Sequence, residues 1–207
     1  MNGVATYPVV SKSGSSSAGV ATQSVRAQTF TTLHSFDATD GADPWTGLVQ
    51  ATDGDFYGTT SSTVFKITPS GALTTLHNFD GTDGSDPFGK LIQATSGRFY
   101  GTTQGGGSGG NACGSGGCGT VFRLSEDLGT FVETQTTSGM VGAAIKILGT
   151  DLKGATSVTF NGTPATFTVV SKSHIKTTVP TGATTGFVQV ATPGGTLTSN
   201  VVYTVEP

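Results

Sequence analysis

Charge is scarce in this sequence. Only 11% of its 207 residues are Asp, Glu, Lys or Arg, and the formal net charge is −3. No basic stripe runs along any segment, so the electrostatic footprint of a nucleic-acid binder is missing. Long apolar runs are absent too, and with them the roughly 20 consecutive apolar residues of a membrane-spanning helix. Nowhere do apolar residues recur at the helical period over a dozen positions, which excludes a helical bundle. The hydrophobic share of 34% is low for a thick core, yet it suits thin β-layers in which Thr and Gly cover much of the surface. Residues 1–28 lack a basic stretch followed by an apolar one, and read as a flexible Ser/Gly-rich segment rather than a secretory signal peptide. Catalytic signatures are missing as well. There is no G-x-S-x-G elbow, no H-E-x-x-H and no P-loop. The Gly105–Gly110 run lacks the lysine and the following helix of a phosphate cradle.

What the sequence does have is glycine, 32 residues of it, and an internal repeat. Thr31-Thr-Leu-His-Ser-Phe-Asp37 returns as Thr74-Thr-Leu-His-Asn-Phe-Asp80, Asp40-Gly-Ala-Asp-Pro44 as Asp83-Gly-Ser-Asp-Pro87, and Phe56-Tyr-Gly-Thr-Thr60 as Phe99-Tyr-Gly-Thr-Thr103, each 43 residues on. Thr63-Val-Phe-Lys66 returns as Thr120-Val-Phe-Arg123 at an offset of 57, so the second copy carries a 14-residue insertion. Each copy reads as four short strands, near 47–52, 55–60, 63–68 and 72–79 in the first, with turns at Asp53-Gly54 and Pro69-Ser-Gly71. Four strands in about 43 residues is the pattern of a β-propeller blade.

The phase of the repeat points to an assembly. An outer strand at 29–36 comes first, one full blade follows, and the second blade ends after its third strand. The first strand lacks a blade and the last blade lacks a strand. The expectation is a homo-oligomer in which strand 29–36 of one copy completes the final blade of the next. Such head-to-tail contacts close into a ring when the rotation permits. Three copies give six blades and four give eight, within the roughly 4–8 that propellers use; the trimer is the favoured form.

From about Phe131 the pattern changes to longer alternating strands near 141–149, 157–160, 165–170, 174–179, 186–191 and 199–205, separated by Gly, Pro and Asn turns. That is the spacing of a β-sandwich. The expected fold is therefore all-β: residues 1–28 as a flexible lead, 29–130 as two four-stranded blades of a propeller completed by oligomerisation, and 131–207 as an immunoglobulin-like sandwich.

On Gly47-Leu-Val-Gln-Ala-Thr-Asp-Gly-Asp-Phe-Tyr-Gly-Thr-Thr60 and Val64-Phe-Lys-Ile-Thr-Pro-Ser-Gly71 the first part resembles the GloVer tandem-repeat family of bacterial surface or secreted proteins. On Ile147-Leu-Gly-Thr-Asp-Leu152, Val158-Thr-Phe-Asn-Gly162 and Val179-Pro-Thr-Gly-Ala183 the second resembles an IPT/TIG domain. The resemblance implies surface display, adhesion or carbohydrate contact, at an extracellular or cell-surface location, and brings no catalytic residues with it.

Candidate chemistry sits in the repeated turns. His34, Asp37, Asp40 and Asp43 are matched by His77, Asp80, Asp83 and Asp86. Carboxylates three apart around a glycine can converge on Ca²⁺, and the two histidines would favour Zn²⁺, whose bound water could hydrolyse a phosphate or sulfate ester. Against this stands the turn-forming habit of Asp and Gly, with His34 and His77 packed beside Phe36 and Phe79. Trp45 and Phe88 follow the two Asp-Pro turns. They are expected to be buried at the blade junction; exposed on the rim instead, they would stack on a sugar or small apolar ligand. His174, between Lys172 and Lys176, reads as a surface residue. Cys113 and Cys118, five apart in a Gly/Ser loop with no nearby third ligand, read as a local disulfide of an oxidising compartment. The favoured function is an extracellular binding or adhesion module; the alternatives are a metal-dependent hydrolase and a structural repeat.

Overall fold

The computed structural model describes residues 28–108, 113–114 and 116–207, of which Thr32–Pro207 belong to one compact unit. The expected flexible lead lies outside the described residues except for Gln28. The fold is all-β.

Strands β1 (Val49–Gln50), β2 (Phe56–Thr59), β3 (Thr63–Ile67) and β4 (Leu73–Asn78) form an antiparallel meander in chain order. The Asp53-Gly54 turn closes as its sequence predicts, with Gly54 at a φ of 88° and its N–H donating to the Ala51 carbonyl. The second repeat supplies β5 (Ile92–Gln93), β6 (Phe99–Thr102) and β7 (Val121–Leu124), a three-stranded sheet that no fourth strand joins among the described residues. The outer strand expected at 29–36 does not form: residues 28–36 are in no strand and join no sheet among the described residues. A strand exists only against a partner edge, and no described segment offers one here.

Alternation along the strands gives each sheet two distinct faces. Val49, Tyr57 and Val64 lie on one face of the first sheet, Leu48, Phe56 and Phe65 on the other. The equivalents in the second sheet are Ile92, Tyr100 and Val121 on one face, Leu91, Phe99 and Phe122 on the other. The two sheets meet by unlike faces. Tyr57 stacks on Phe99 with ring centroids 4.2 Å apart, and Val64 and Leu91 close the same core. The remaining faces have no partner sheet among the described residues; on the first sheet Phe65 and Ile67 are nonetheless buried, Phe65 beneath Phe36. Val64 is 1% exposed but its repeat equivalent Val121 is 79% exposed, and Leu91 is 1% exposed against 44% for Leu48.

The chain then enters a sandwich. One sheet has the order β13-β14-β10-β8, from β8 (Val132–Thr134), β10 (Ala144–Gly149), β13 (Phe167–Ser171) and β14 (His174–Thr178). The other has the order β12-β11-β15-β16, from β11 (Ser157–Phe160), β12 (Thr163–Ala165), β15 (Val188–Thr192) and β16 (Gly195–Thr198). Alternate residues such as Ile145, Ile147, Val158, Phe160, Val188 and Val190 fill the space between them. The strand expected over 199–205 is shorter, β17 (Thr204–Glu206), which runs parallel to β9 (Ser138–Met140). Repeat and sandwich join through the Phe131 N–H donating to the Thr95 carbonyl at 2.9 Å and the Thr95 and Thr150 hydroxyls 2.9 Å apart.

Candidate functional site

The two acidic turns are built alike. The Asp37 carboxylate accepts from the Thr39 amide (2.9 Å) and hydroxyl (2.6 Å), and Asp80 accepts from Thr82 at 2.8 and 2.7 Å. The Thr hydroxyls, followed by the amides, hold both carboxyls below the usual carboxylate range. Asp40 accepts the Asp37 amide on one oxygen and meets His34 Nε2 at 2.6 Å with the other. Asp83 does the same with the Asp80 amide and His77 Nε2, also 2.6 Å away. Each imidazole stands edge-on to a phenylalanine, His34 to Phe36 and His77 to Phe79.

Glycine is required at the centre of each turn. Gly41 and Gly84 have φ of 130° and 145°, and a Cβ on either would sit 2.6 Å from Thr60 or Thr103. The turns thereby press onto the β2–β3 and β6–β7 loops. Thr63 and Thr120 donate back to the Asp40 and Asp83 carbonyls, at 3.4 and 2.9 Å.

This geometry does not support the metal reading. Among the described residues no three His, Cys, Asp or Glu side chains come together to hold a metal ion. The carboxylates of Asp37, Asp40, Asp80 and Asp83 satisfy N–H and O–H groups of their own turns, while Asp43 and Asp86 add no further ligand. His34 and His77 each meet one carboxylate of their own turn, and the hydrogen bonds account for these repeated residues as turn architecture.

Trp45 and Phe88 depart from the expected burial. Trp45 is 71% exposed and Phe88 45% exposed, and they face each other edge to face with centroids 6.0 Å apart. The reason is competition for space: the joint between the sheets is already filled by Tyr57 on Phe99. Their loops are firmly held. Thr59 donates to the Pro87 carbonyl at 2.9 Å, Thr46 and Thr59 share a hydroxyl contact of 3.2 Å, and the Asp86 carbonyl accepts the Gln104 amide at 2.9 Å. Two exposed aromatics on fixed backbone form a preorganised surface.

The described residues that open the insertion lie against the acidic turn of the second repeat. Gly107 donates to the Gly81 carbonyl at 3.0 Å, Gly106 donates to the Gly116 carbonyl at 2.7 Å, and Ser85 and Gly105 form a bridge. Cys113 and Cys118 are joined, with Cα atoms 5.2 Å apart. Tyr57, which the sequence did not single out, donates its hydroxyl to Asp53 at 2.8 Å, and burial above all pushes that phenol well above its usual range. His174, expected at the surface, is half-buried on β14, with Nε2 shielded from water and without a partner. An open cleft of about 630 Å³ between the two repeat sheets and the sandwich is lined by Gln50, Gln93, Glu133, Ser173 and Asn200 among others. No helix among the described residues is long and apolar enough to cross a membrane.

No curated protein matches this chain. One similar solved structure is described as a crystal structure with xylogluco-oligosaccharide, at 15% identity and a TM-score of 0.32, covering 67% of this chain and 28% of that one. Another, a novel fungal alcohol oxidase of the AA5 family in complex with copper, has 13% identity and a TM-score of 0.28, covering 75% of this chain and 40% of that one. The chain thus spans well under half the length of either, and at these TM-scores neither likeness carries a fold or a ligand across. Family profiles are more informative. An IPT/TIG domain matches residues 131–205, the stretch that forms the sandwich. The Gloeobacter/Verrucomicrobia repeat matches residues 2–155. That match takes in both copies of the 43-residue unit and most of the chain, and the protein belongs to the Gloeobacter/Verrucomicrobia repeat family.

Proposed function

We propose that this protein is an extracellular binding module whose sheets are blades of a ring made from several copies, with Trp45 and Phe88 as its ligand-contacting surface. The carrying observation is the aromatic pair: two large rings, one per repeat, left wet and edge to face on pinned loops. Keeping Trp45 exposed forgoes a large burial gain. Faces of this kind stack on the C–H faces of sugar rings, and the neighbouring Asp43, Asp86 and Lys90 supply polar partners for hydroxyls. The ligand class is therefore a saccharide.

The ring has its own support. Each sheet has two unlike apolar faces, and the joint inside the chain uses one from each. Without a partner sheet among the described residues are the Leu48–Phe56 face at one end, where Leu48 is exposed though Phe65 lies under Phe36, and the Ile92–Tyr100–Val121 face at the other, the same pair of surfaces that meets within the chain. Copies joined head to tail repeat the internal joint, and Tyr100 of one copy stacks on Phe56 of the next as Tyr57 does on Phe99. Contacts of that kind close into a ring when the rotation permits; three copies make six blades, within the roughly 4–8 that propellers use. A ring also gathers every Trp45 and Phe88 onto one rim, so weak stacking contacts add through multivalency.

Affinity electrophoresis in gels carrying hydroxyethylcellulose, xylan or galactomannan tests the reading. Retardation by at least one glycan, reduced about tenfold in Trp45→Ala with the particle mass unchanged, is the expected result. Equal retardation of Trp45→Ala and the parent chain would remove the aromatic pair as the site.

A further inference from the structure

We infer that β7 is the docking edge for residues 30–35 of a second copy, in the register that β4 takes on β3. The inference rests on the ring reading and adds to it a residue-level pairing.

β3 and β7 are the same strand in two repeats, Thr-Val-Phe-Lys at 63–66 and Thr-Val-Phe-Arg at 120–123. β3 is paired on both edges, by β2 and β4, whereas among the described residues β7 is paired by β6 alone. The strand that β7 lacks is written elsewhere in the chain. Residues 31–37 repeat residues 74–80 with one difference, Ser35 for Asn78, and this copy is in no sheet among the described residues.

The far end of that segment is already arranged as the end of β4 is. Phe79, leaving β4, meets Phe122 of the next sheet at 5.2 Å and 68°. Phe36 meets Phe65 at 5.2 Å and 68°. The His34–Asp40 and His77–Asp83 pairs agree in the same way, at 2.6 Å each. From His34 onward the chain is therefore set as though it had just left a preceding sheet. That sheet is not its own second one. Phe65 lies on the Leu48–Phe56 face of the first sheet, the face turned away from β5–β7. The occupant of β7 is accordingly another copy.

The register follows from the intact pair. Thr63 opposes Asn78, Val64 opposes His77, Phe65 opposes Thr75, Lys66 opposes Thr74 and Ile67 opposes Leu73. Transferred to β7, Thr120 opposes the second copy's Ser35, Val121 its His34, Phe122 its Thr32, Arg123 its Thr31 and Leu124 its Phe30. Leu33 takes the place that Leu76 has at the irregularity in the β3–β4 ladder. Phe30, 93% exposed in the single chain, gains a cross-strand neighbour.

Directly opposed residues bring Cβ atoms to about 4.5–5.5 Å, close enough to trap as a disulfide with little movement. In the full chain, Thr31→Cys with Arg123→Cys should cross-link between copies on mild oxidation. Denaturing gels without reductant should show multiples of the 20.8 kDa chain, with most chains linked. His34→Cys with Val121→Cys should do likewise, while Thr32→Cys with Arg123→Cys, whose thiols lie on opposite faces, should not. Peptide mapping identifies each new bond. A bond formed within one chain overturns the exchange. An assembled particle by sedimentation that cross-links at neither pair overturns the register and leaves the ring standing. A parent chain that sediments as a monomer overturns both.

Discussion

Val64→Ala and Val121→Ala should differ sharply in cost, although the two valines occupy the same position of the repeat. Val64 is 1% exposed against the second sheet and Val121 is 79% exposed on a face that no described residue covers. Removing two carbons from a buried valine loses about 1.6 kcal/mol of transfer free energy, and the cavity left behind brings the total to about 2 kcal/mol. At position 121 only about a fifth of that burial exists to be lost, so the cost is about 0.3 kcal/mol. With a urea dependence of about 2 kcal/mol per molar, the midpoint should fall by about 1 M for Val64→Ala and by under about 0.2 M for Val121→Ala. The assay is tryptophan fluorescence against urea, at a concentration where sedimentation shows single chains. At concentrations where copies associate, the order changes: Val121→Ala should then weaken the assembly about tenfold or more. Equal midpoints for the two variants as single chains would refute the reasoning, because they would mean that the Val121 face is covered from within the same chain.

Two further outcomes follow from the turns. Gly84→Ala should destabilise the second repeat by about 2–4 kcal/mol, because its φ of 145° and a Cβ 2.6 Å from Thr103 combine backbone strain with a clash; a urea midpoint within 0.2 M of the parent, by the same rough urea dependence, would show that the turn gives way freely. Asp37 and Asp80 are both held below the ordinary 3.8, so their contribution is complete above that value and is lost as the pH falls through the lowered folded values. The amide resonances of Thr39 and Thr82 should therefore stay constant down to about pH 4 and move together below it; an inflection near pH 6 would show that ionised carboxylates are not the acceptors.

The sequence disclosed most of the strands because repetition and alternation are local. Every strand of the first sheet lies within its expected range, and the 14-residue insertion falls between β6 and β7, where the change of offset puts it. What it concealed depends on competition for the same space. An aromatic after an Asp-Pro turn can pack or stay wet, and the choice at Trp45 and Phe88 falls to Tyr57 and Phe99, which take the joint first. Nor did the acidic spacing show that His34 would spend itself on Asp40, six residues on. The segment at 29–36 is the reverse case: its strand pattern is plain, yet a pattern alone makes no strand without an edge to join. In the sandwich, β8, β9, β12 and β16 are each three or four residues long, too short for alternation to announce them.

The contact of Phe36 with Phe65 and that of Phe79 with Phe122 agree in distance and angle to the figures given. A coupling reproduced so closely behaves as an interchangeable part. A gene carrying it can gain or shed whole 43-residue units while every seam between neighbours keeps its shape. The tally of units on one polypeptide is then free to drift over time, and in the proposed ring the diameter would answer only to the angle built into each coupling.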